Sequence, residues 1–174
     1  MVEIPDRAIL GQFSRAVREM LADDDLIRAA PQEFSITPDL AMKMVPFFRQ
    51  WRVSAEWTSR EGEDMLKKIS WRDDDGKLQS MAIRPDIIVH IPHTEVNILA
   101  VEANRIGNKD HAGDIKKLTL LTRHESVDPK FHYGYRLGVH LIVDLSNRAI
   151  VGTDVYRDGV VDPDLSGFLW RLVH

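Results

Sequence analysis

Two apolar runs of strand length, each with a carboxylate at one end, constrain the fold of this chain most strongly. The first run, residues 86–90, begins with Asp86, and the second, residues 97–104, has Glu102 near its end. Pro92 and the polar residues after it separate the runs, so we expect an antiparallel hairpin. The hairpin would place Asp86 and Glu102 on adjacent strands about 5 Å apart. Two carboxylates this close repel each other, and a divalent cation is their natural partner.

Pro85-Asp86 at the head of one strand and Glu102-Ala103-Asn104 at the end of the next resemble the PD-(D/E)xK nuclease superfamily. The resemblance covers most of residues 5 to 145. It implies an α/β fold with a central mixed β-sheet flanked by helices, the restriction-endonuclease-like αβββαβ core. It also implies that Asp86, Glu102 and the carbonyl oxygen of Ala103 hold Mg²⁺ or Mn²⁺.

Asn104 departs from the pattern of this superfamily, in which a lysine ends the triplet. Strand alternation places Asn104 on the same face as Glu102, so the position is kept while its charge is lost. An amide can orient a water molecule but cannot replace an ammonium group. The missing charge could come from Lys109 in the following loop, or from Lys116 or Lys117 in the helix after it. The candidate catalytic residues are therefore Asp86, Glu102, Asn104, Lys116 and Lys117.

The charge distribution favours a polyanionic partner more than the total charge does. The whole chain has a net charge of −4, which argues against a protein that coats nucleic acid nonspecifically. Residues 105–136 nevertheless contain seven Lys/Arg and four Asp/Glu. We expect nucleic acid, DNA rather than RNA, to be bound by Arg105, Lys109, Lys116 and Lys117. An ordinary solvated helix and loop would show the same charge pattern.

Hydrophobic periodicity predicts the elements around the two motifs. A helix follows Pro5, a second helical piece begins at Thr37, and alternation from Trp51 to Thr58 predicts a strand whose buried face carries Trp51, Val53 and Ala55. Glu56 would lie on the polar face, as a third acid or as a solvent-facing residue. A hairpin at 66–83, a helix, two strands at 137–145 and 149–156, and a terminal element at 165–173 complete the pattern. The helix after Asn104 has the apolar stripe Ala112, Ile115, Leu118, Leu121 and Thr122.

Length and composition predict one nuclease-like domain over residues 1–174. The hydrophobic fraction of 44% supports a core, and no repeat or linker marks a second domain. The chain has no cysteine, which excludes disulfides and thiolate metal sites. No apolar stretch is long enough to span a membrane, and no signal peptide is recognisable at the N-terminus. We therefore expect a cytoplasmic protein without a membrane partner, and a homodimer is a further expectation from the resemblance.

Three functions remain open at this point. The chain could be an active nuclease with a relocated cation, a catalytically degenerate nuclease-fold protein that binds or regulates, or an unrelated α/β domain. In the last case Asp86 would only start a strand and Glu102 would face solvent. A zinc site that uses His90 and His93 is another alternative. His111 is nearby in the sequence, but neither it nor any other residue has convincing spacing for a third ligand.

Overall fold

The computed structural model describes residues 4–29, 36–55, 68–108, 111–125 and 132–174. Two residues named above, Glu56 and Lys109, lie outside the described residues, as do the last residues of the strand predicted at 51–58. The helices are α1 (Asp6–Leu21), α2 (Asp24–Ala29), α3 (Thr37–Met44), α4 (His111–Thr122) and α5 (Pro163–Val173). The strands are β1 (Arg52–Ala55), β2 (Lys68–Arg72), β3 (Leu78–Ala82), β4 (Ile87–His90), β5 (Asn97–Arg105), β6 (Leu137–Asp144), β7 (Ala149–Arg157) and β8 (Val160–Val161).

Six strands form a central mixed sheet in the order β1-β4-β5-β6-β7-β8. The β5–β6 pair is parallel, with α4 as its crossover, and the other neighbouring pairs are antiparallel. Strands β2 and β3 form a separate two-stranded sheet between β1 and β4 in the chain. The predicted α/β fold, with a mixed sheet flanked by helices, is confirmed.

One face of the central sheet is covered by α1, α3 and α5. Pro5 is the N-cap residue of helix α1 and has an extended backbone conformation. The apolar residues of α1 recur every three or four positions. Ile9, Phe13 and Met20 are fully buried in this layer. They join Val101 and Ala103 of β5 in one hydrophobic cluster. We call this the apolar face.

Helix α4 and the β2–β3 hairpin cover the opposite face. Their smaller hydrophobic cluster contains Ile69 of β2, Ala100 of β5 and Leu118 of α4. Because successive side chains of a strand point to opposite faces, Glu102 and Asn104 lie on the same face as Ala100. We call this the polar face, since buried polar side chains continue from its hydrophobic cluster.

Strand β1 differs from its predicted burial pattern. Ala55 is exposed and Val53 is only half-buried, whereas Ser54 is buried. Ser54 pairs with Ile88 in the β1–β4 ladder, and its hydroxyl lies 3.5 Å from Nε2 of His90. The prediction that Ala55 is buried is therefore wrong. The opposite face of β1 is the buried one at this point, where Ser54 contacts His90.

None of the helices in the described part of the chain combines the length and hydrophobicity that a membrane-spanning helix requires.

Candidate functional site

Asp86 and Glu102 meet where β4 begins and β5 approaches its end. The β4–β5 ladder pairs Ile87 with Val101, and continuing this antiparallel register by one residue places Asp86 opposite Glu102. Asp86 Oδ2 accepts a hydrogen bond of 2.9 Å from the backbone N–H of Ala103. The two carboxylates predicted to be neighbours are therefore brought together.

Glu102 is buried rather than solvated. Its side chain is 1% exposed, and its Oε2 lies 2.5 Å from Nζ of Lys117. Its other oxygen, Oε1, is buried and has no hydrogen-bond partner among the described residues. This burial contradicts the interpretation of Glu102 as a solvent-facing strand end.

Lys117 is the helix residue that reaches the carboxylates. Its Nζ bridges Glu102 Oε2 and Asp114 Oδ1, the latter at 2.9 Å. Asp114 and Lys117 are three residues apart, so one side of α4 presents both to β5. Of the two candidate lysines in α4, Lys117 is the one whose ammonium lies beside Glu102.

Lys116 points elsewhere, and helix α4 is rotated relative to its predicted stripe. The Lys116 ammonium lies 3.7 Å from the centre of the Trp71 ring, on the β2–β3 hairpin. Ala112 and Ile115, predicted to be buried, are exposed, whereas Asp114 is buried with Leu118 and Leu121. The predicted apolar stripe of α4 is wrong at Ala112 and Ile115. The polar contacts of Asp114 and Lys117 with β5 orient the first half of the helix instead.

Asn104 lies on the polar face beside Glu102, as strand alternation predicts. Its Nδ2 donates to Asp114 Oδ2 at 2.6 Å and lies 3.3 Å from His140 Nε2. Its Oδ1 accepts a hydrogen bond from Nδ2 of Asn108. The amide therefore holds the second carboxylate oxygen of Asp114 while Lys117 holds the first.

Burial and neighbouring charges shift the pKa values of the side chains in this cluster. Burial and the charge of Asp86 raise the pKa of Glu102 to about 9, although Lys117 acts in the opposite direction. Burial also disfavours the charged form of Lys117, but Glu102 and Asp114 outweigh it and raise the pKa of Lys117. Burial works against the charge of Asp114 too, yet hydrogen bonds from Lys117 and Asn104 lower the pKa of this carboxyl. The Lys117 ammonium thus contacts two of the three acidic side chains, those of Glu102 and Asp114.

His140 and His111 complete the cluster, and the sequence did not predict this pairing. His140 lies on β6, where the parallel ladder pairs it with Glu102, and it is buried. Its Nε2 lies 3.4 Å from Nδ1 of His111 at the start of α4. Burial lowers the pKa of His140, which favours the neutral form of its imidazole. The largely apolar sequence of β6, interrupted by one histidine, was the signal that could have identified His140.

A pocket of about 270 Å³ opens beside Asp86, and Glu102 and Lys117 are not among the residues that line it. Asp86, Ala103 and Asn104 line one part of it, and Arg105 and Asn108 line another. Ile36 and Thr37 at the start of α3 close it. The half-buried Arg105 is thus the member of the predicted nucleic-acid-binding set that borders this pocket.

The donor set fits a hard divalent cation better than zinc. Asp86 and the unpartnered Oε1 of Glu102 supply carboxylate oxygens, the ligands that Mg²⁺ and Mn²⁺ prefer. Among the residues that the structure describes, no group of three or more His, Asp or Glu side chains is arranged to hold a metal ion. The zinc alternative also loses His111, which faces His140 instead of His90 and His93.

No model of a known protein family matches this chain, and a search of curated proteins finds no match.

Proposed function

We propose that this protein is a metal-dependent nuclease that hydrolyses phosphodiester bonds, with DNA as the preferred substrate. The observation that carries the proposal is the buried carboxylate of Glu102, with one oxygen unpartnered among the described residues, beside Asp86 and Lys117. Burying this acidic group next to another carboxylate is costly unless a cation compensates for it. A binding site for Mg²⁺ or Mn²⁺ explains that arrangement.

Asp86, Glu102 and the carbonyl oxygen of Ala103 would hold the cation. Bound there, Mg²⁺ or Mn²⁺ would polarise the phosphate and lower the pKa of the attacking water. Lys117 would supply the positive charge that stabilises the negative charge developing on the phosphate. Its 2.5 Å contact with Glu102 supports this role for Lys117 rather than for Lys116, which lies over Trp71.

The surroundings of the cluster support an anionic substrate. Arg105 and the polar Asn108 border the pocket that reaches Asp86 and Ala103. The backbone of nucleic acid would extend from this pocket along α4, where Lys116 is exposed. Lys109, which lies outside the described residues, stays a candidate contact. We also propose that the protein acts as a homodimer that cuts both strands, and that it is located in the cytoplasm.

The order of elements supports the resemblance to the PD-(D/E)xK superfamily. Apart from the β2–β3 hairpin, a helix precedes β1, β4 and β5, and these are followed by α4 and β6. This is the αβββαβ order that the two motifs imply, and it places both carboxylates on adjacent central strands.

The test is cleavage of labelled single- and double-stranded DNA and RNA with Mg²⁺, Mn²⁺ or EDTA. Wild type should cut only with metal, and Asp86→Asn and Glu102→Gln, purified identically, should not cut. Asp164→Asn is a matched control, because Asp164 also follows a proline but is exposed at the start of α5. Cutting that survives both site variants would refute the assignment of the site.

The second candidate is a catalytically degenerate nuclease-fold protein that binds nucleic acid or regulates another nuclease. Asn104 favours it, since the motif position lacks the lysine of the superfamily. This candidate predicts metal binding and DNA binding without turnover under any metal condition. Isothermal titration with Mn²⁺ beside the cleavage assay separates the two functions.

A further inference from the structure

The side chain of Asn104 has a single orientation that satisfies its neighbours. Its Nδ2 faces the Asp114 carboxylate at 2.6 Å and His140 Nε2 at 3.3 Å, while its Oδ1 accepts from Asn108. Rotating the amide by 180° would place its oxygen against the carboxylate oxygen of Asp114 and its NH₂ against the NH₂ of Asn108. Both contacts would be repulsive, so the donor is directed at Asp114.

Asp114 passes this constraint to Lys117. Its Oδ2 is held by Asn104, and its Oδ1 is 2.9 Å from Nζ of Lys117. The Lys117 ammonium then reaches Glu102 Oε2 at 2.5 Å. Four side chains therefore form a continuous series of contacts from the motif position to the carboxylate proposed as a metal ligand.

The series matters because lysine is flexible. Its ammonium lies on a four-carbon stem whose rotamers are all accessible in solvent, and one ion pair alone fixes it poorly. Two carboxylates from different elements, one of them oriented by an amide, leave the ammonium few alternatives. The buried His140 restricts the amide in turn, since its Nε2 lies 3.3 Å from the amide nitrogen and accepts its second hydrogen when the ring proton is on Nδ1.

We propose that Asn104 is a positioning residue, which orients Asp114 so that Asp114 holds the Lys117 ammonium beside Glu102. The motif position has then not simply lost a charge: it has become the support for a lysine supplied by α4. This inference rests on the proposed nuclease function for its kinetic consequences, but the contact series exists in the metal-free protein and can be tested there.

The kinetic test is a double-mutant cycle between Asn104→Leu, which keeps the branched shape but removes the donor, and Lys117→Met. Under single-turnover conditions we expect Asn104→Leu to lower the cleavage rate by about 10-fold or more, with the Mn²⁺ Kd changed less than about twofold. In the Lys117→Met background the same change should have no further effect. An undiminished effect in that background would overturn the proposal, because Asn104 would then act independently of Lys117.

Asn104→Lys tests the same point from the other side. We expect it to reduce cleavage, because a second ammonium would compete with Lys117 for Asp114 and Glu102. If Asn104→Lys instead raised the rate, and did so also in the Lys117→Met background, the position would simply be a lost catalytic lysine and the proposal would be wrong.

A measurement without activity distinguishes failure of this inference from failure of the nuclease function. In ¹⁵N-lysine-labelled, metal-free protein, a hydrogen-bonded Lys117 ammonium should give a slowly exchanging ¹H–¹⁵N signal, assigned by its loss in Lys117→Met. The signal should disappear or weaken in Asn104→Leu, and in the isosteric Asp114→Asn if the first variant does not fold. A wild type without the signal, or variants that keep it unchanged, would overturn the proposal even if the protein cleaves DNA.

Discussion

The two faces of the central sheet are built from the same strands but do different work. On the apolar face, Val101 and Ala103 of β5 pack with α1, α3 and α5 in a large hydrophobic cluster. On the polar face, Glu102 and Asn104 of the same strand contact Asp114 and Lys117 of α4. Neighbouring residues of one strand thus alternate between stabilising the fold and forming the candidate site. Burial of hydrophobic side chains on the apolar face offsets the free-energy cost of burying polar and charged side chains on the polar face.

The largest expected effect separates activity from stability on the polar face. Glu102→Gln should lower the cleavage rate on the order of 10³-fold, because one oxygen ligand and its charge are lost. Its free energy of unfolding should not fall, since the raised pKa of Glu102 keeps its buried carboxyl neutral near neutral pH, and the amide is a neutral group of the same shape. Cleavage assays with urea unfolding measure both quantities. A large loss of stability in Glu102→Gln would contradict the division between the faces.

The converse change is Phe13→Ala on the apolar face. Phe13 is fully buried in α1, and truncating a buried phenylalanine costs about 3–5 kcal/mol in the free energy of unfolding. The rate per folded molecule should remain within about twofold, because Phe13 packs in the hydrophobic cluster of the apolar face, whereas the side chains of Glu102 and Lys117 meet on the polar face. Urea unfolding and active-site-normalised cleavage check this. If the cleavage rate per folded molecule of Phe13→Ala fell well below that of wild type, the two faces would be coupled.

Lys117→Met and Lys116→Met compare two adjacent lysines of α4. We expect Lys117→Met to reduce the single-turnover cleavage rate by about 100-fold, since it removes the charge beside Glu102. Lys116→Met should weaken DNA binding modestly and leave that rate within about twofold at saturating DNA, because Lys116 lies over Trp71. Single-turnover rates over a DNA concentration series separate the effects. Equal losses would mean that the site is not centred on Lys117.

A pH dependence of stability is expected in the metal-free protein. Burial and Asp86 raise the pKa of Glu102 to about 9, well above the value of an unfolded glutamate, about 4.3. Between these values the folded state holds a proton that the unfolded state has released. The contribution of Glu102 to stability is therefore present at low pH and is lost as pH rises towards 9. Melting temperatures of wild type should fall across this range more steeply than those of Glu102→Gln, and identical slopes would refute the shift.

The same pKa predicts how metal binding depends on pH. Because the cation needs the ionised carboxylate, binding below pH 9 must displace the proton of Glu102, so affinity for Mn²⁺ should increase with pH. Titration calorimetry in buffers of different ionisation enthalpy measures the proton released. Glu102→Gln provides the control, and an affinity independent of pH in wild type would contradict a protonated Glu102.

Local patterns were sufficient for the pairing of Asp86 with Glu102. Both belong to one hairpin, and strand alternation fixes which residues of β5 share a face, so Asn104 beside Glu102 was also predictable. The sequence offered three lysines that could replace the missing charge. Of the two in α4, Lys117 contacts Glu102, and Lys116 lies over Trp71 instead. Lys109 lies outside the described residues and stays a prediction.

The rest of the site depends on contacts that no local pattern contains. His140 comes beside Glu102 through the parallel register of β5 with β6, which a crossover of more than 30 residues separates in the chain. The rotation of α4 places Asp114 inward and Ile115 outward, against the hydrophobic periodicity, because Asn104 and Lys117 satisfy the buried carboxylate. Sequence alone therefore determined the α/β class and the acidic pair, which follow from local periodicity. The tertiary structure decided which lysine, which histidine and which side of α4 join them, because those choices are made by long-range strand register and by the need to pair buried polar groups.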